Sequence, residues 1–169
     1  MTSLSPPPEI SSKLVYSLFE YWQRKCAGRL APRWRDIDPG DIKPALPYVA
    51  VLEILESPFD VRYRLTGSAL VEAIGREYTG QTLRSLNLVT DLNAWLTHYH
   101  RVVSDRRPSY GRYRGELGPD LMRSVDHAAF PLSDDGEQVN RILEIEDWST
   151  MQAFGANRID AFVWRFDLL

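Results

Sequence analysis

Three histidines and one cysteine are the side chains of this chain best suited to nucleophilic or metal chemistry. His98 and His100 stand two apart, His127 lies in a distant segment, and Cys26 is alone. A catalytic set could be written from Ser124, Asp126 and His127, yet adjacent residues of a strand point to opposite faces, so Asp126 and His127 cannot converge. The pair His98-x-His100 turns its two rings to different sides of a helix, which spoils it as a chelate, and no metal site is expected. A lone cysteine excludes an intramolecular disulfide framework and every all-cysteine metal centre.

Charge is concentrated differently. The run RRPSYGRYRG places Arg106, Arg107, Arg112 and Arg114 within a short span, with Arg112 and Arg114 on one strand face and Gly111 and Tyr113 on the other. Guanidinium forks suit planar anions, so this is the candidate patch for an anionic ligand or an acidic protein partner; the alternative is a solvated sheet edge. RWRD, Arg33 to Asp36, has an R-x-x-D spacing that the arginine and aspartate content makes about once by chance, and no second element accompanies it. The stretch VRYRLTGSALVEAIGREYTGQTL has the order strand, glycine, helix that can aim backbone N–H groups at a phosphate. Gly67, Gly75 and Gly80 nevertheless form no phosphate-loop or dinucleotide fingerprint, and they read as turn and helix-end glycines.

The elements that would position these groups follow from periodicity. With 169 residues, 44% hydrophobic and 25% charged, the chain has the composition of one soluble globular domain, and a net charge of −3 argues against a surface built for nucleic acid. No run of about 18 apolar residues occurs and the first residues lack the form of an export signal, so a cytoplasmic protein with no membrane contact is expected. Residues 1–10 are proline-rich and read as a mobile lead, 11–148 as the domain, and 149–169 as a C-terminal extension. KLVYSLFEYWQRKCAG is a helix with a wide apolar face, closed near Gly28. Tyr48–Leu55 and Val61–Thr66 form a hairpin, with Val61, Tyr63 and Leu65 on its buried face. Ser68–Ile74 is a short helix ended by Gly75, and Asp91–Ser104 is a long one whose stripe is Leu92, Trp95, Leu96, Tyr99, Val102 and Val103. On that helix His98 and His100 fall about 100° from the stripe, one on each flank. Tyr110–Leu117, Leu121–Leu132 and Val139–Trp148 complete the pattern as strands, separated by turn-forming GPD and SDDGE.

Two strands, a helical block and three strands make an α+β fold with a five-stranded antiparallel sheet, and that order resembles a PAS domain. The chain is similar to the bacterial PAS-like family of the PAS_5 type through YW at Tyr21 and Trp22, APRWRDIDPGDIKPALPY, YRLTGSAL, REYTGQTL, RRPSY and FPLSDDGEQVNRIL, from about Leu14 to Asp147. The resemblance implies a sensory or regulatory module without catalysis, binding a small molecule or a protein partner. Its pocket would lie between the sheet and the long helix, with Tyr63, Leu65, Trp95, Tyr99 and Tyr113 as its lining. Flavin photochemistry in such folds needs a cysteine beside the pocket, and Cys26 is elsewhere. Some PAS haem sensors draw the iron ligand from the long helix; His98 and His100, at the edge of its stripe, argue against haem, so no cofactor is expected, with haem through one of them as an alternative. A cone-shaped α+β enzyme using one carboxylate in an apolar pocket is the other alternative, disfavoured by strand order.

Two segments remain outside this scheme. ANRIDAFVWRFDLL fits a strand through Phe162, Trp164, Phe166 and Leu168, and a helix equally well. The N-terminal helix is apolar around more than half its circumference, so Leu14, Leu18 and Trp22 are expected to form a homodimer surface. With no kinase, cyclase or DNA-binding segment in the chain, output is expected to pass through a protein partner.

Overall fold

In a computed structural model, which describes residues 5–89, 91–116, 122–149 and 165–168, the chain forms one antiparallel sheet covered on both faces. Helix α1, Lys13–Cys26, begins where the Ser12 hydroxyl accepts from the Val15 N–H, and it ends on Ala27 in the left-handed conformation. Three short 3-10 turns, Trp34–Asp36, Pro39–Ile42 and Leu46–Tyr48, lead into strands β1, Val49–Leu55, and β2, Asp60–Thr66. The second turn starts as its sequence requires, with Asp38 accepting from the Gly40 N–H and proline at the first position. Helices α2, Ser68–Ile74, α3, Leu83–Leu86, and α4, Leu92–Asp105, form the central block. Strands β3, Ser109–Glu116, β4, Met122–Leu132, and β5, Arg141–Asp147, follow. The expected five strands and their order are present, and the tail adds a short sixth, β6, Arg165–Leu168, paired antiparallel to β3. Sheet order is β2-β1-β5-β4-β3-β6, so β5 is central although it is the fifth strand in sequence.

The two faces carry separate cores. One joins Ala50, Leu52, Val61, Tyr63, Val125, Ala129 and Ile142 of the sheet to Leu70, Leu83, Leu86 and α4. The other joins Val49, Val51, Ala128, Phe130, Leu132, Leu143 and Ile145 to α1 and the 3-10 turns. Strand alternation thus feeds both layers, as a sheet covered on both sides demands. The turn into α2 is tight: a Cβ on Gly67 would stand 2.3 Å from the Pro47 carbonyl oxygen, so only glycine passes there.

Three expectations are corrected by this packing. Leu18 and Trp22 are each 1% exposed beneath their own sheet, where Trp22 stacks near Phe130 and its Nε1–H donates to the Pro131 carbonyl, while Leu14 is half-buried. The sheet on one side and the 3-10 turns on the other supply the second surface that the wide apolar face needed, so the argument for a dimer surface there is lost. Leu65 is 40% exposed, not pocket-lining. A bulge explains it: Val51 pairs with Leu65 but Leu52 pairs with Tyr63, so Arg64 is an extra residue and Leu65 is turned to the face opposite Tyr63. The end of the lead is anchored, since Ile10 is 2% exposed within the α1 core.

Candidate functional site

The space between α4 and the sheet is where Tyr63, Trp95, Tyr99 and Tyr113 meet, all buried. Trp95 lies 5.8 Å from the rings of both Tyr99 and Tyr113. Around them stand groups that sequence reasoning missed. Glu144 is fully buried on β5; its Oε1 accepts from the Tyr99 hydroxyl and lies 2.7 Å from His127 Nε2, while Oε2 has no hydrogen-bond partner among the described residues. Glu146, two residues on and therefore on the same face, accepts at Oε2 from the Tyr113 hydroxyl at 2.7 Å and from Trp148 Nε1 at 2.9 Å. A cavity of ≈ 20 Å³ is walled by Tyr63, Ile74, Tyr78, Leu83, Leu86, Leu88, Val89, Trp95 and Glu146.

His98 belongs to this interior, contrary to its expected place at the edge of the helix stripe. It is fully buried; its Nδ1 is 3.2 Å from the Ser109 hydroxyl, and its ring centre lies 4.9 Å from that of His127. Val102 is buried and Leu92 only partly so, which centres the buried face of α4 closer to His98 than the Leu92, Trp95, Tyr99 stripe implies. His100 does lie outside, exposed and edge-on to Phe59 at 5.1 Å. His127, set aside in sequence as remote, arrives beside His98 because β4 passes beneath α4.

Burial governs the charge states. Desolvation, followed by the nearby imidazole of His127 and by Arg101, holds His98 well below its ordinary pKa, so it is neutral. Glu146 is pushed up, first by burial and then by Glu144, with only partial relief from His127 and from the Trp148 and Tyr113 donors. Tyr63, Tyr99 and Tyr113 are raised well above the usual phenol value, chiefly by burial. The site can therefore accept hydrogen bonds or a positive charge at a carboxylate surrounded by aromatic walls.

Strand β5 explains why the acids were overlooked. In RILEIEDW the residues Ile142, Glu144, Glu146 and Trp148 alternate with Leu143, Ile145 and Asp147, and an acidic alternation ordinarily marks the wet face of a strand. The signal available was α1, whose apolar side must claim Leu143 and Ile145 and so leaves the two glutamates facing α4.

The arginines of the run do not act alike, and Arg112 is engaged within the fold. Arg112 Nε pairs with Asp126 Oδ1 at 2.7 Å, and its Nη2 donates to the Glu9 carbonyl and the Ser11 hydroxyl. Asp126 also accepts from the N–H groups of Ser11 and Ser12 at 2.7 and 2.8 Å, so the guanidinium and carboxylate together fasten the entry of α1 to the sheet. Arg106 is the left-handed C-cap of α4, exposed like Arg107, and Arg114 sits in β3 opposite Ser124 and Arg165. A cleft of ≈ 520 Å³ beside this tie is lined by Ser11, Ser12, Lys13, Asp126 and Asp147 among others. Its acids are already committed, Asp126 as above and Asp147 to the Ser12 hydroxyl and the Ser149 N–H. Among the described residues no group of three or more His, Cys, Asp or Glu could hold a metal ion, and no helix is long and apolar enough to cross a membrane.

A sheet with helices on its inner face, an N-terminal helix across its outer face and an enclosed space under the longest inner helix defines a small α+β sensor fold. A family model described as a PAS domain, PAS_5, matches residues 10–116, more than half of the chain, and the chain belongs to that family. PAS domains are sensory and regulatory modules. No curated protein sequence matches the chain.

Proposed function

We propose that this PAS domain is a non-catalytic module that senses a small molecule in the space between the sheet and α4. One observation carries the reading: a cavity whose wall sets the Glu146 carboxylate among Tyr63, Tyr78 and Trp95. Apolar walls with a few convergent polar groups are the ordinary make-up of a small-molecule site. At ≈ 20 Å³ the space holds about one water, so a larger ligand enters by displacing part of its cover. Ile74, Tyr78, Leu83, Leu86, Leu88 and Val89 supply that cover from two short helices and their connecting turns, the least regular part of the wall. The network of Tyr99, Glu144 and His127 lies directly behind it, and a change at Glu146 is felt there through charge. Haem is not part of this reading. The His98 ring is packed among Trp95, Tyr99 and His127, with ring centres 4.9 to 6.4 Å away.

Thermal melting of the chain against a panel of small polar metabolites tests the proposal, because a ligand that binds only the folded state raises the melting temperature in proportion to its saturation. At least one compound is expected to stabilise the wild type and to lose that effect in Glu146→Gln. Equal shifts in both proteins would place the ligand elsewhere.

A further inference from the structure

The face of β5 under α4 carries two acids against few bases, Glu144 fully buried and Glu146 half-buried. Glu144 has His127 at 2.7 Å, whereas the hydrogen bonds that Glu146 accepts among the described residues come from the neutral donors Tyr113 and Trp148, both on Oε2. The half-buried Glu146 forms part of the cavity wall. His98 cannot balance it, since burial keeps that imidazole neutral. Burial and Glu144 raise this carboxyl, and a cation brought beside it would favour its charged form. The rest of the wall favours the cation: Tyr63 and Tyr78 meet edge to face with centroids 4.9 Å apart, and Trp95 completes three aromatic surfaces around one acid. Aromatic faces attract a desolvated ammonium group, and a carboxylate behind them supplies its counter-charge.

From the charge count and the aromatic wall together, the geometry points to a ligand bearing an alkylammonium group, seated against Glu146 between Tyr63, Tyr78 and Trp95. This rests on the small-molecule reading above and adds the chemical class. The available space receives the ammonium head, and the remainder of the molecule extends beneath the α2–α3 cover. Binding competes with the proton on Glu146, which burial and Glu144 favour, so affinity rises with pH until that carboxyl is ionised. The other titratable groups facing it are Glu144 and His127 on the sheet, Tyr99 on α4, and the Tyr63, Tyr78 and Tyr113 hydroxyls; the phenols stay protonated throughout.

The test is an NMR titration of the full chain with butylammonium, whose head is the size of a water, and with its uncharged counterpart butan-1-ol, following the Trp95 indole and the amides of residues 74–89. Butylammonium is expected to bind at least about tenfold more tightly than the alcohol, to lose that preference in Glu146→Gln, and to bind better as pH rises from about 5 to 8. Should Glu146→Gln fail to fold, the isostere comparison and the pH series on the wild type still decide. Equal shifts of the Trp95 signals by both compounds would overturn the ammonium class and leave the cavity as a ligand site. Perturbation by butylammonium only of residues outside 74–89 and Trp95, or no response to either probe, would also overturn it. The metabolite panel judges the broader reading separately.

Discussion

Glu146 and Asp126 are both acids of the sheet, and their surroundings drive them in opposite directions. Burial pushes the Asp126 carboxyl up, but the Arg112 guanidinium and the Ser11 and Ser12 N–H groups together outweigh it and hold the carboxyl below its usual range. Glu146 faces burial and Glu144 with only weaker relief, and it is raised. The consequence for Asp126 is a stability that depends on pH with a definite sign. A carboxyl depressed in the folded state contributes fully above its unfolded pKa, and the contribution is lost as pH falls through the folded value. Asp126→Asn is therefore expected to melt lower than the wild type at neutral pH, and to converge with it as pH drops below about 4. Melting curves for the two proteins across that range check it; a constant gap at every pH would assign the loss to packing alone. This tie could not be read from RRPSYGRYRG, because the partner of Arg112 is a β4 residue and the backbone of the α1 entry, both distant in sequence.

At the scale of elements, local signals were enough for placement and too weak for orientation. The Ser12 cap, the glycine after α2, and the alternation in β1 and β2 set the bounds of those elements within a residue or two. What periodicity cannot carry is an inserted residue or a second covered face. One bulge at Arg64 was enough to move Leu65 out of the pocket, and the outer layer of α1 turned the glutamates of β5 inward. His98 departs from expectation for a related reason: the stripe counts Leu92 and Val103, which are only partly covered, so the buried face is centred nearer His98. Helix α1 offers the clearest test at this scale. Trp22 is buried against Phe130 and bonded to Pro131, so Trp22→Ala is expected to cost about 3–5 kcal/mol in denaturant unfolding. A near-neutral result would mean that α1 is not held on the sheet and would restore its apolar face as an interaction surface.

For the whole molecule, strand order joins the fold to the proposed sensing. Placing β5 in the middle of the sheet sets Glu144 and Glu146 under α4, far from either sheet edge, and β4 beside it brings His127 within reach. The two-plus-three arrangement of strands was legible in sequence, and so was the space beneath the long helix. Its polar content was not, since acids and histidines look like surface residues until their neighbours are known. The tail, ambiguous between strand and helix, forms a strand over Arg165–Leu168 at the β3 edge; its residues 150–164 and 169 lie outside the described residues. The central claim is that the space beside Glu146 is occupied by a small molecule when the module works. Native mass spectrometry of the protein purified from its own cells, compared with the denatured mass, measures this directly. A bound species of defined mass is expected with wild type and lost in Glu146→Gln. A bare chain mass in the wild type, or a ligand retained equally by the variant, would contradict the claim.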